Sequence, residues 1–149
     1  MPSIEVATER DIPALSDLLS VLFEQEAEFT PERAAQARGL ARIVGHPEVG
    51  AILVARERGA ILGMVNLLFT VSTALGERVA LLEDMIVRPA ARGRGVGSAL
   101  LVQAIAHARA QGCRRITLLT DEMNDGAQRF YARHGFAASG MIPMRVVLG

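Results

Sequence analysis

The chain of 149 residues has no lysine and no tryptophan, and all sixteen of its basic side chains are arginine. Without lysine there is no phosphate-binding P-loop side chain. Schiff-base and pyridoxal phosphate chemistry, which need a lysine amine, are excluded as well. The 23 alanines and 14 glycines fit a GC-rich coding sequence, which accounts for the missing lysine without reference to function. Aromatic residues are scarce, one Tyr and five Phe, so stacking platforms for single-stranded nucleic acid are not expected. A net charge of zero further disfavours direct nucleic-acid binding. The single cysteine, Cys113, rules out an internal disulfide and makes the cytoplasm the expected compartment. The longest apolar run, residues 61–71, is broken by Gly63, Asn66 and Thr70 and is too short to cross a bilayer. The N-terminus, Met-Pro-Ser-Ile-Glu-Val, lacks the regions of a secretory signal, so no membrane association is expected. His46, His107 and His134 stand far apart, no His or Cys cluster has metal-ligand spacing, and no Gly-x-Ser-x-Gly elbow is present. No metal is therefore expected.

What remains is ample for one globular domain. Half of the residues are apolar, and a chain of this length buries roughly 70% of its unfolded surface. No repeat, linker or composition break marks a second domain, so residues 1–149 read as one. The neutral total hides a split. Residues 1–87 hold seven Arg against thirteen acids, and residues 88–149 hold nine Arg against three. The C-terminal half is thus the natural place for an anionic ligand.

Periodicity predicts the elements. Residues 4–7 read as a strand. Asp11 caps a helix with Pro13 in its first turn and Leu15, Leu18, Leu19 and Leu22 on one face. Thr30-Pro31-Glu32 opens a second helix that ends near Gly45. Residues 51–56 and 61–71 form a hairpin around Glu57-Arg58-Gly59, and residues 79–87 form another strand. A helix over 98–111, a strand over 115–119, a helix over 126–134 and two short strands within 136–147 complete the order. The fold class is α/β, a mixed and mostly antiparallel sheet flanked by helices.

One segment carries chemistry. The strand Leu82-Glu83-Asp84-Met85-Ile86-Val87 runs through Arg88-Pro89-Ala90-Ala91 into Arg92-Gly93-Arg94-Gly95-Val96-Gly97-Ser98 and directly into a long helix. Unpaired N–H groups and the positive dipole end suit a helix start to phosphate oxygens. Glycines let a ligand approach the backbone, and Arg92 and Arg94 add positive charge. The dinucleotide fingerprint fails in both registers, meeting Ser98 from Gly93 and Leu100 from Gly95. One strand later come Asn124, Ala127, Tyr131 and Gly135-Phe136.

These two motifs, at this separation, resemble those of the GNAT superfamily, the acyl-CoA-dependent N-acetyltransferases. The resemblance covers nearly the whole chain, because the order of strands and helices matches too. It implies acetyl-CoA as co-substrate and an amine as acceptor. The backbone N–H groups of Arg92, Gly93, Arg94, Gly95, Val96, Gly97 and Ser98 would hold the pyrophosphate. The main chain of Met85, Ile86 and Val87 would pair with the pantetheine arm as an added strand. That requires strands 79–87 and 115–119 to splay apart. Asn124 would touch the arm near its amides, and Phe130 would pack beside it, with an ordinary core role as the alternative.

Tyr131 would protonate the leaving thiolate, in keeping with phenol and thiol reference pKa values of roughly 10 and 8.5. Glu83 is the candidate to take a proton from the attacking amine. Strict alternation puts it on the face of Met85 and Val87, with Asp84 on the other, and a bulge would exchange the two. A salt-bridged strand carboxylate is the alternative for Glu83. The resemblance places acceptor choice in residues 12–45 and 137–147. There Glu24, Glu26 and Glu28 form an acidic patch, and Met141, Met144 and Arg145 stand near the acceptor end. A homodimer is compatible with the resemblance. A non-catalytic acyl-CoA-binding module is the alternative to an enzyme.

Overall fold

The computed structural model describes residues 2–26 and 29–149, so Glu28 of the acidic patch lies outside the described residues. The chain divides into two compact units, Met1–Leu119 and Thr120–Gly149.

The first unit is built on a five-stranded sheet in the order β1 (Ser3–Val6), β2 (Gly50–Glu57), β3 (Ala60–Ser72), β4 (Glu77–Val87) and β5 (Ile116–Leu118). The first four pair antiparallel and β5 joins β4 parallel, giving the expected mixed, mostly antiparallel sheet. The β2–β3 hairpin closes through Arg58 and Gly59, both with positive φ, at 53° and 79°. That conformation matches the twist of the flanking strands and accounts for the glycine there. Gly50–Ala55 is buried throughout, as expected of a strand covered on both faces.

The covers come from three helices. α1 (Ile12–Gln25) and α2 (Arg33–Ile43) supply Leu15, Leu18, Leu19 and Leu40 to a core that also holds Ile52, Val54, Met64 and Ile86. Leu53 points the other way and lines a shallow groove with Gln103, Ala106 and His107 of α3 (Val96–Ala110). Buried Gln36 ties α1 to α2, donating to the Ser16 carbonyl at 2.9 Å and to the Ser20 hydroxyl at 3.1 Å.

Two helix starts differ from the sequence reading. Asp11 precedes α1 but does not cap it. Its carboxylate turns back onto the Thr8 N–H at 2.9 Å and accepts two bonds of 3.0 Å from the Arg56 guanidinium, a stronger partner than an orphan amide. α3 begins two residues earlier than expected, because Gly95 takes the left-handed conformation that launches it. Within the Thr30-Pro31-Glu32 start of α2, Glu32 is the cap, accepting from the N–H groups of Ala34 and Ala35 at 3.2 and 2.8 Å.

The second unit holds α4 (Asp125–Arg133), capped by Asn124, whose amide oxygen accepts from the Ala127 N–H at 3.0 Å. The two strands expected within 136–147 do not form. The apolar side chains of that segment, Met141, Ile142, Met144, Val146 and Val147, are 78–90% exposed. Alternation describes only the side chains, whereas a strand also needs a hydrogen-bonded neighbour, and residues 136–149 enter no ladder.

Candidate active site

The β4–β5 ladder is short. Ala80 pairs with Ile116, Leu81 with Thr117 and Leu82 with Leu118, and there it stops. From Asp84 to Val87, β4 stays paired with β3 alone, so among the described residues one edge of its backbone has no strand partner. The ladder thus covers only the first half of β4. Beyond Val87 the chain is pinned to β3. The Arg88 N–H donates to the Leu62 carbonyl and its Nε to the Ile61 carbonyl, both at 2.7 Å. Gly63 lets α3 close over this point. A Cβ there would stand 2.9 Å from the Ile86 carbonyl oxygen and 3.1 Å from Leu100 Cδ1.

A short 3-10 turn, Pro89–Ala91, leads into the glycine turn. Gly93 and Gly95 both have φ of 79°, and the space where a Cβ would stand is open at each. Gly95 offers no side chain to cap the first turn of α3. The two arginines differ in their surroundings. Arg92 donates from Nε to the Val87 carbonyl at 3.1 Å. Arg94 forks onto both Glu57 oxygens at 2.9 and 3.0 Å, and this hydrogen bonding holds the Glu57 carboxyl below its ordinary range. The positive field of the turn thus comes with a carboxylate attached.

The bulge left open by the sequence is present. Asn66 pairs with Asp84 and Leu67 with Leu82, so Glu83 is the extra residue and has no partner in the register. It is exposed. Asp84 falls on the face of Ile86, toward α1. It accepts a hydrogen bond from Asn66 Nδ2 at 2.9 Å. Burial pushes its carboxyl above the ordinary range, against the lowering effect of that bond. Asn66 is 4% exposed, and its Oδ1 has no hydrogen-bond partner. The sequence reading passed over Asn66 as an interruption of an apolar run. The signal was that interruption: an amide in a run buried on both faces needs a polar neighbour.

The remaining candidates lie in the second unit, on α4. Tyr131 is half-buried and packs edge-on against Phe130 and Phe136, with centroids 5.3 and 5.6 Å apart. Phe130 also meets the His134 ring at 5.1 Å and the Arg133 guanidinium at 5.8 Å. Asn124 spends its oxygen on the helix cap, which leaves its Nδ2 donors as the groups able to serve a ligand. Among the described residues no group of three or more His, Cys, Asp or Glu could hold a metal ion, and no helix is long and apolar enough to cross a membrane.

Comparison with known proteins identifies the family. The model of the acetyltransferase (GNAT) family matches residues 12–136. The uncharacterized N-acetyltransferase YhfO of Bacillus subtilis is 31% identical over 134 residues, covering 90% of this chain and 89% of the relative. The aminoalkylphosphonate N-acetyltransferase of Salmonella typhimurium is 29% identical over 141 residues, covering 93% and 88%. Among solved structures, the integron cassette protein HFX_CASS3, from the mobile metagenome of Cole Harbour Salt Marsh, superposes with a TM-score of 0.85 at 29% identity. That match covers 98% of this chain and 90% of the other. The chain belongs to the GNAT family: it is an N-acetyltransferase, an acyltransferase of a family that uses acetyl-CoA and amine acceptors.

Proposed function

We propose that the protein moves the acetyl group of acetyl-CoA to a primary amine of a small molecule or peptide by direct attack. One observation carries the reading: β4 loses β5 after Leu82 and runs, with an open edge, into a glycine turn at an uncapped helix start. The amides of a pantetheine arm can pair with Met85, Ile86 and Val87 as an added strand. A pyrophosphate suits the N–H groups from Arg92 to Ser98, and the open space at Gly93 and Gly95 admits it. Asn124 and Phe130 serve the arm with amide donors and ring packing.

The amine lone pair attacks the thioester carbonyl carbon, and the carbonyl π pair moves onto oxygen. A main-chain N–H of the Met85–Val87 segment steadies that oxyanion. Collapse of the tetrahedral intermediate breaks the C–S bond, and Tyr131 delivers a proton to the departing thiolate. Glu83, exposed on the bulge, takes the proton released by the amine, directly or through water. The relative named for aminoalkylphosphonates supports a small molecule with a primary amine as acceptor.

The test is thiol release from acetyl-CoA with a panel of polyamines, amino acids, amino sugars, aminoalkylphosphonates and peptide N-termini. Amine-dependent release with matching acetylated product is expected. Coenzyme binding with no release above background for any amine overturns the reading.

A further inference from the structure

The segment from Arg88 to Gly95 is fastened to the sheet on three strands. Arg88 donates to the Ile61 and Leu62 carbonyls of β3, and Arg92 Nε donates to the Val87 carbonyl at the end of β4. The third fastening is on β2. Arg94 Nη2 donates to both oxygens of Glu57, the last residue of that strand, at 2.9 and 3.0 Å. The two partners stand on unlike supports. Glu57 pairs with Ala60 across a tight hairpin turn, and its side chain is the more shielded of the two, 25% exposed against 47% for Arg94. Arg94 stands alone between Gly93 and Gly95, both with φ of 79°. A carboxylate beside a turn suited to phosphate is at first sight misplaced. It repels an anionic ligand and neutralises a cation that could have met it.

We propose that Glu57 is a positioning residue for coenzyme binding, which holds the glycine turn in shape through Arg94. Glycine gives up more conformational freedom than any other residue when it is fixed. A turn that must order as the pyrophosphate arrives loses affinity by that amount, and a turn already held does not. Arg94 is the only residue between the two glycines, so its side chain is the one handle by which that backbone can be held. Glu57, 37 residues away on a rigid hairpin, takes hold of it. The guanidinium of Arg94 is thereby spent on the protein, and what the turn presents to the phosphates is its main-chain N–H groups. The inference rests on the proposed docking of the pyrophosphate at this turn and goes beyond it in assigning a residue outside the turn.

The experiment is a double-mutant cycle read by calorimetric titration with coenzyme A. It compares wild type, Glu57→Gln, Arg94→Gln and the double variant. Glu57→Gln keeps the length of the side chain and removes its charge. It is expected to weaken coenzyme A about fivefold in wild type and to have no further effect when Arg94 is already Gln. A general charge effect would instead give the same change in both backgrounds. Backbone 15N relaxation in the ligand-free protein supplies a second readout. The order parameters of Gly93, Arg94 and Gly95 are expected to fall in Glu57→Gln while those of β2 and β3 stay as they are. Equal or tighter binding of coenzyme A by Glu57→Gln, equal losses in the two backgrounds, or unchanged order parameters at the turn overturn the positioning role. If Glu57→Gln does not fold, Glu57→Asp, which draws the carboxylate back from Arg94, takes its place with the same expectations. The two readings fail separately: wild type that does not bind coenzyme A sinks the proposed function, and wild type that binds it no better than Glu57→Gln sinks the role of Glu57 alone.

Discussion

Tyr131 is the one phenol in the chain, and its ring is fixed by edge contacts with Phe130 and Phe136. Tyr131→Phe keeps those contacts and removes only the hydroxyl. The fold and coenzyme affinity are expected to persist, while turnover in the thiol-release assay falls about a hundredfold. Unchanged turnover removes the general-acid role. The glycine turn at Gly93 and Gly95 ahead of a long helix was legible in the sequence, because motif spacing survives without knowledge of the third dimension. The pairing of Asp84 with Asn66 was not. Alternation counts residues, and one inserted residue at Glu83 reverses the face of every side chain on one side of it. Asp11 shows the same limit from another cause. Its type and position suit a cap, but Arg56, forty-five residues away in sequence, outbids the orphan amides.

At the scale of elements, the placement of the open edge of β4 depends on how closely α3 sits on β3 and β4. Gly63 sets that distance, since a Cβ there would crowd the Ile86 carbonyl oxygen, the Val87 Cα and Leu100. Two of these three are backbone atoms that cannot rotate away. Gly63→Ala is expected to destabilise the protein by about 1–3 kcal/mol through overpacking, read as a lower urea midpoint. A midpoint equal to wild type shows that the layers have slack. Elements whose partners are local, such as the β2–β3 hairpin, followed their periodicity closely. The segment 136–149 did not. Its alternation of Met, Ile and Val resembles a strand, yet no ladder receives it.

At the scale of the whole molecule, charge decides behaviour more than shape does. Arg94 with Glu57 joins the basic and acidic halves of the chain, so part of the charge split seen in the sequence is cancelled at the turn itself. In acid, two carboxylates, buried Asp11 and half-buried Asp84, act in opposite senses. Burial raises the Asp11 carboxyl, but bonds from Thr8 and Arg56 outweigh it and leave its value lowered. Its stabilising contribution is present above the unfolded value, about 3.9, and is lost as pH falls through the folded value. Asp84, raised by burial, favours the fold below its unfolded value and loses that contribution as pH rises through its folded one. Urea midpoints measured from pH 7 down to pH 3 should therefore fall less steeply in Asp11→Asn than in wild type. In Asp84→Asn they should start higher and converge on wild type in acid. Parallel curves for all three proteins refute both assignments. The open side of β4 has a last consequence, for self-association. Unpaired strand edges recruit other strands, from the same protein or from others, and are a common start of aggregation. This edge is short, is kinked by an extra residue and carries a solvent-facing carboxylate at Glu83, three features that discourage such recruitment. The bulge that breaks the alternation at Glu83 thus also discourages the open edge of β4 from becoming an adhesive one.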